Sequence, residues 1–274
     1  MALFEPLPDL EEILISIGAG GSHVAAMEAS EGAAGNISVY VGWPIEVRRR
    51  FPIAEEIPLP QPAPHLADHI VIVTGSGRRL REIHVDPAAN LGIVRVSADG
   101  TSGTLFTAPN RLFDRLTSEW NSHLAVHDDT VERTGTNFHA VVHAQPRHLT
   151  YLSHVPEYRD EGNLNRRLLR WEPETIINLP AGIGVLPFML PGSAQLMDAN
   201  VRSLRDHRIV VWAKHGVMAR SDISVKRAVD RIEYAETAAG YEYMDLTIGG
   251  RAEGLSLDEM KAVVAAFGVK TTLV

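Results

Sequence analysis

The feature that most constrains the fold is a set of short β-branched runs, each closed by turn residues, that fills the chain up to about residue 110. Asn36-Ile-Ser-Val-Tyr-Val41 follows the turn Gly32-Ala-Ala-Gly35, and its alternation reads as a strand. His69-Ile-Val-Ile-Val-Thr74 has the pattern of a buried strand and ends at Gly75-Ser76-Gly77, a turn whose backbone N–H groups can approach a ligand. Two further strands, residues 91–97 and 102–106, are joined through Ala98-Asp99-Gly100, a hairpin signal.

The flanking segments complete the pattern. Residues 8–31 carry helix-compatible spacing of Leu, Ile and Ala, with Gly18 to Gly21 expected to kink or split the helix. The proline-rich stretch 51–64 reads as a long irregular connection. Beyond residue 110, helix and strand patterns alternate: helix 118–133, strand 138–145, helix 147–154, strand 175–180, helix 193–205, strand 208–215 and helix 221–244. A last helix starts at Ser256, where Glu259 completes a capping box. No internal repeat or low-complexity tract is present. The expected architecture is a single α/β (α+β) domain over residues 1–274, with a central, largely antiparallel sheet flanked by helices, in preference to a βαβ nucleotide fold.

Composition narrows the chemistry. The net charge of −8 disfavours general binding of nucleic acid or anionic membrane, leaving room for one local cationic pocket. With no cysteine, a metal can be held only by His, carboxylate or carbonyl oxygen. The opening acidic residues Glu5, Asp9, Glu11 and Glu12 do not read as a signal peptide, and the apolar run 13–27 is too interrupted to span a bilayer, so a cytoplasmic protein is expected.

Four of the 12 histidines fall at His139, His143, His148 and His154. On a strand His143 and Gln145 face the same side, and His215, at the end of strand 208–215, can supply a further ligand to a catalytic metal that keeps an open position. Against this, a lone strand histidine is usually a hydrogen-bonded structural residue. His148 and His154 read as surface or capping groups. Glu119 falls at a predicted helix start, where carboxylates commonly offset the helix dipole. The Thr74-Gly-Ser-Gly77 turn and Asn36 can supply donors to an anion.

The order of segments goes further. Gly35-Asn36, Val73-Thr-Gly-Ser-Gly77, Asp86-Pro-Ala-Ala-Asn-Leu-Gly-Ile-Val94, Leu116-Thr-Ser-Glu119, the His143 strand, Gly182-Ile-Gly-Val-Leu-Pro187, Pro191-Gly192 and Lys214-His-Gly-Val217 together resemble the class II aldolase and adducin family, closest to its branch acting on L-rhamnulose 1-phosphate. The resemblance implies a retro-aldol cleavage of a ketose 1-phosphate to dihydroxyacetone phosphate and L-lactaldehyde, with a divalent metal, zinc in that family, stabilising an enediolate. It implies catalytic roles for Glu119 and Glu174, phosphate binding by Asn36, Ser76, Gly77, Thr117 and Ser118, and metal binding by His143, His215 and Gln145. It also implies a small-molecule sugar-phosphate substrate and a four-fold symmetric homotetramer with sites near subunit interfaces. Two departures stand out: Gln145 replaces the second histidine of the family's His-x-His strand, and Ala33-Ala-Gly-Asn36 replaces its Asn-Gly-Gly-Asn loop. Three rival readings follow: an aldolase or epimerase acting on another sugar phosphate or hydroxy-ketone, a non-catalytic adducin-like scaffold, and a Schiff-base aldolase using Lys214.

Overall fold

The computed structural model describes residues 2–274. In chain order the elements are α1 (Leu10–Ala26), β1 (Asn36–Val41), β2 (Ile53–Pro58), β3 (Ile70–Thr74), α2 (Pro87–Asn90), β4 (Leu91–Val96), β5 (Ser102–Thr107), α3 (Trp120–Thr134), β6 (Phe138–Ala144), α4 (Arg147–Leu152), α5 (Glu161–Leu168), α6 (Pro173–Asn178), β7 (Gly184–Leu186), α7 (Ala194–Asp206), β8 (Ile209–Trp212), β9 (Gly216–Ser221), α8 (Val225–Thr247) and α9 (Leu257–Phe267). The strands form one sheet in the order β2-β5-β4-β3-β1-β6-β9-β8-β7. Every pairing is antiparallel except β7 with β8. The expected single domain with a largely antiparallel sheet is therefore what the chain builds. No helix among the described residues is long and apolar enough to cross a membrane.

Strand alternation divides the sheet into two unlike faces. One face presents Ile37, Val39 and Val41 of β1 and Ala140, Val142 and Ala144 of β6 to a large apolar core shared with α1, α4 and α8. The other face presents Asn36, Ser38 and Tyr40 of β1 and His139, Val141 and His143 of β6, and is covered by α3 and α7. Apolar clusters flank this polar strip on both sides, with Leu124 and Trp120 of α3 in one and Val126 of α3 with Trp212 and Met218 in the other. Asp129 ties α3 to α7 by accepting from Arg205 at 2.6 Å.

Four of the expected segments differ from the sequence reading. Helix α1 passes unbroken through Gly18–Gly21, with Asp9 and Glu12 forming its capping box. These glycines serve close packing: a methyl group at Gly21 would sit 2.6 Å from the Leu80 carbonyl oxygen, and one at Gly18 would sit 2.8 Å from the His84 Cα. The proline-rich stretch contains β2, an exposed edge strand paired with β5, where proline is tolerated because one side of the ladder faces solvent. Residues 175–180, expected as a strand, belong instead to α6 and its exit. Pro173 sits in the first turn of α6, where its missing N–H costs nothing, and the helix packs on α8 and α9. The strand expected over 208–215 stops at Trp212, and a tight turn leads straight into β9.

Replacing Gly21 with alanine should destabilise the fold by about 1–3 kcal/mol through overpacking, despite roughly 1 kcal/mol gained in helix propensity. Urea unfolding measures this, and a neutral or stabilised Gly21→Ala variant would refute the close-packing account.

Candidate active site

Nine sequence-predicted residues, Asn36, Ser76, Gly77, Thr117, Ser118, Glu119, His143, Gln145 and His215, line one cleft of about 210 Å³ at the ends of β1, β3 and β6. It is not the roomiest hollow, since one of about 550 Å³ lies beside Arg170, Leu257 and Leu273. It does hold the only group of three His, Asp or Glu among the described residues whose ligand atoms lie within 4.8 Å of one another: Glu119, His143 and His215.

Each member arrives by a different local route. His143 stands on β6, fully enclosed and stacked on Trp212 with ring centroids 4.7 Å apart. Its Nδ1–H donates to the Val217 carbonyl at 2.8 Å, so the Nε2 lone pair is left facing the cleft, 3.6 Å from Glu119 Oε2. His215 lies in the β8–β9 turn and not, as expected, on a strand. There Lys214 adopts φ 66°, and Gly216 lets the turn pass β6, since a methyl group would meet the Ala144 carbonyl oxygen at 2.4 Å. His215 Nε2 is 3.5 Å from Glu119 Oε1. Burial, reinforced by His143, pushes the His215 imidazole down to about 4, with Glu119 opposing, so it is a neutral ligand near neutrality. Lys214 points away from this arrangement: it is exposed, its backbone N–H donates to Ser153, and it does not line the cleft, which removes the desolvation a Schiff-base lysine needs.

Glu119 is the N-cap residue of α3, but its side chain makes no capping hydrogen bond to the helix. The residue is only 4% exposed. It turns into the cleft, where Asn36 Nδ2 donates to Oε2 at 2.9 Å. Asn36 therefore commits its amide to Glu119 and, through Oδ1, to His123.

In the same cleft, the backbone N–H groups of Gly77 and Ser118 have no partner among the described residues, beside the hydroxyls of Ser76, Thr117 and Ser118. This is the donor-rich concavity expected of an anion cradle. Arg78, which the sequence reading passed over, fixes the Gly75–Gly77 turn by donating to Asn90 Oδ1 at 2.8 Å and to the Leu112 carbonyl. The Asp86–Asn90 segment thus acts as a clamp on the cradle, with Gly75 N–H also donating to the Asn90 carbonyl.

Glu174 is not brought to the cleft: it is exposed on α6. Its neighbour Glu172 is half-buried, with its carboxyl raised by burial and then by Glu174. His148 pairs with Glu236 and His154 is exposed, as the surface reading expected. The residues that sequence reasoning missed lie behind the cleft. His123 and His127 of α3 sandwich Ser38 Oγ at 2.6 and 2.7 Å, and His127 Nδ1 meets His139 Nδ1 at 2.8 Å. All three histidines are fully buried, and burial depresses each, His127 to about 3. Their signal was the i, i+4 spacing of His123 and His127, in phase with Glu119.

Residues 17–243 match the family described as Class II Aldolase and Adducin N-terminal domain. The rhamnulose-1-phosphate aldolase of Escherichia coli (strain K12 / DH10B) is 34% identical over 214 residues, spanning 78% of this chain and 77% of that protein. Among solved structures, the sugar-phosphate aldolase from Thermotoga maritima superposes with a TM-score of 0.75 at 27% identity, covering 89% of this chain and 98% of its own. The L-fuculose-1-phosphate aldolase from Thermus thermophilus shares the fold, with a TM-score of 0.57 at 18% identity over 88% of this chain and 98% of that one.

The buried histidines predict a specific acid response. Each is neutral when folded and free to protonate when unfolded, so its contribution to stability is complete above the unfolded pKa and is lost as pH falls from there towards the depressed folded value. Between about pH 5.5 and pH 4 stability should fall as pH falls, His127 alone adding a slope of roughly 1.4 kcal/mol per pH unit and His123 and His139 adding in the same direction. Urea titrations at stepped pH measure it, and stability that stays flat over this interval would contradict neutral burial.

Proposed function

The chain belongs to the class II aldolase and adducin family, and from that premise we propose that this aldolase cleaves L-rhamnulose 1-phosphate to dihydroxyacetone phosphate and L-lactaldehyde. The observation that carries the reading is the convergence of His143 Nε2, His215 Nε2 and the Glu119 carboxylate in the same cleft as a set of free N–H and hydroxyl donors. Such a cleft brings phosphate donors and metal-ligating groups to one substrate.

The donor set fits a divalent metal. His143 is fixed in the tautomer that leaves Nε2 free, His215 is neutral, and Glu119 brings charge. When bound, the metal supplies Lewis-acid polarisation of the ketone oxygen. The chain's own residues do the rest. The Gly77 and Ser118 N–H groups and the Ser76, Thr117 and Ser118 hydroxyls bind the phosphate, and the Arg78–Asn90 clamp keeps the turn in shape. In a retro-aldol cleavage one hydroxyl proton leaves as the carbon–carbon bond breaks, and a proton is returned to the carbon left behind. We assign this transfer to Glu119, whose burial and hydrogen bond from Asn36 support the reading. Gln145 offers a carbonyl oxygen where the family has an imidazole, a harder and weaker ligand for zinc.

The exposed position of Glu174 suits a role across a subunit boundary. In the homotetramer we infer for this family member, it would act in a neighbouring copy's cleft. Gln145 is also the one observation favouring a non-catalytic scaffold, and metal content separates the two.

Protein supplied with zinc, cobalt or manganese should retain close to one divalent ion per chain, and His215→Ala should lose it; failure to retain any ion would end the aldolase reading in this form. On L-rhamnulose 1-phosphate, Glu119→Gln should lower kcat by about 10²–10⁴-fold. Turnover of a different ketose phosphate, with none of L-rhamnulose 1-phosphate, would overturn the substrate assignment while leaving the reaction class intact. Native mass spectrometry should show four chains, and a monomer would remove the cross-subunit role of Glu174.

A further inference from the structure

Behind the cleft, an unbroken line of polar contacts runs from Glu119 through Asn36, His123, Ser38 and His127 to His139. We propose that His139, His127, Ser38 and His123 are positioning residues, forming a one-way hydrogen-bond chain that fixes the Asn36 amide with its N–H towards Glu119 and so holds that carboxylate in its working orientation. The proposal rests on the reading of Glu119 as the proton-moving group.

The direction follows from counting donors and acceptors. An ionised carboxylate only accepts, so Asn36 presents Nδ2 to Glu119 and Oδ1 to His123. His123 must then carry its proton on Nε2, leaving Nδ1 to accept from the Ser38 hydroxyl. A neutral imidazole has one N–H and one lone pair. With its own proton committed to His123, Ser38 Oγ accepts from His127 Nε2–H, and His127 Nδ1 accepts from His139 Nδ1–H. Every donor in the line points towards Glu119.

The far end of the line disfavours reversal as well. His139 Nε2 is buried with no partner. In the proposed direction this atom is a bare lone pair. In the reverse direction it would be a buried N–H with no acceptor, which is the costlier orphan because a donor's full desolvation is then left uncompensated. Protonating His123 or His127 would set two donors face to face, and protonating His139 would bury an N–H with no acceptor. Burial and, at His139, the nearby Arg220, Arg208 and Arg231 keep the rings neutral. In a low-dielectric interior, aligned hydrogen bonds polarise one another, so the alignment strengthens the last bond, the one Asn36 makes to Glu119.

A purely structural seam would need the contacts and not their direction, and two experiments separate the cases. In the full-length protein, ¹⁵N NMR of the histidine side chains should show neutral rings protonated on Nε2 at His123 and His127 and on Nδ1 at His139; a His139 proton on Nε2, or a His123 proton on Nδ1, overturns the proposal. Ser38→Ala cuts the line in the middle without touching Asn36 or Glu119. With L-rhamnulose 1-phosphate it should lower kcat about tenfold at nearly unchanged KM, and Ser38→Thr, which keeps the hydroxyl, should recover most of the loss. Wild-type kcat in Ser38→Ala, or a rise in KM alone, defeats the positioning role. If Ser38→Ala does not fold, the wild-type tautomers still decide. Should Glu119→Gln keep full kcat, the reading of Glu119 itself falls, an outcome distinct from an inactive Glu119→Gln beside a fully active Ser38→Ala.

Discussion

Helix α3 is docked on strands β1 and β6 through hydrogen bonds along a line where a helix on a sheet ordinarily uses methyl groups, and the place of Glu119 follows from that seam. Glu119, His123 and His127 recur at four-residue intervals on the helix, while Asn36 and Ser38 on β1 and His139 and His143 on β6 recur on one face of the sheet. The two periods meet along one line. Sliding the helix by a turn would leave several buried polar atoms without partners at once, whereas an apolar interface tolerates such shifts far better. The seam therefore sets the helix position more sharply than packing alone.

The flanks supply the stability that the seam does not. Leu124 and Trp120 on one side and Val126 on the other pack into separate apolar clusters, and the opposite face of the sheet is apolar throughout its β1 and β6 strands. Net gains from buried hydrogen bonds are modest, about 1 kcal/mol each, against a larger cost for any left unmade. Such an arrangement gives specificity at a site where the carboxylate of Glu119 must stay close to two imidazoles, one of them held in turn by Val217 and Trp212.

The cleft is assembled from separate stretches of the chain. The β8–β9 turn brings His215, the Gly75–Gly77 turn brings the anion cradle, and the Asp86–Asn90 segment holds that turn through Arg78. This last link gives a physical reason for the Asp-Pro-Ala-Ala-Asn string, which touches no candidate ligand itself. Asn90 offers both its side-chain and its main-chain oxygen to the turn, a double acceptor that few residues can replace.

The sequence by itself determined the strands with clean alternation or short turns: β1, β3, β4 and β5 lie close to their expected limits, because period and punctuation are local properties. Ordered motifs likewise pointed to nine cleft residues in advance. What only the tertiary structure decided has a common cause, namely partners distant in the chain. Gly18 and Gly21 leave α1 intact because Leu80 and His84 press against them, α6 is a helix because Pro173 starts it and α8 and α9 cover it, and Glu174 stays outside the cleft of its own chain. Most of all, His123, Ser38, His127 and His139 looked like unrelated polar residues until the sheet and helix placed them in line with Glu119, since direction along a hydrogen-bond chain exists only once every donor has met its acceptor.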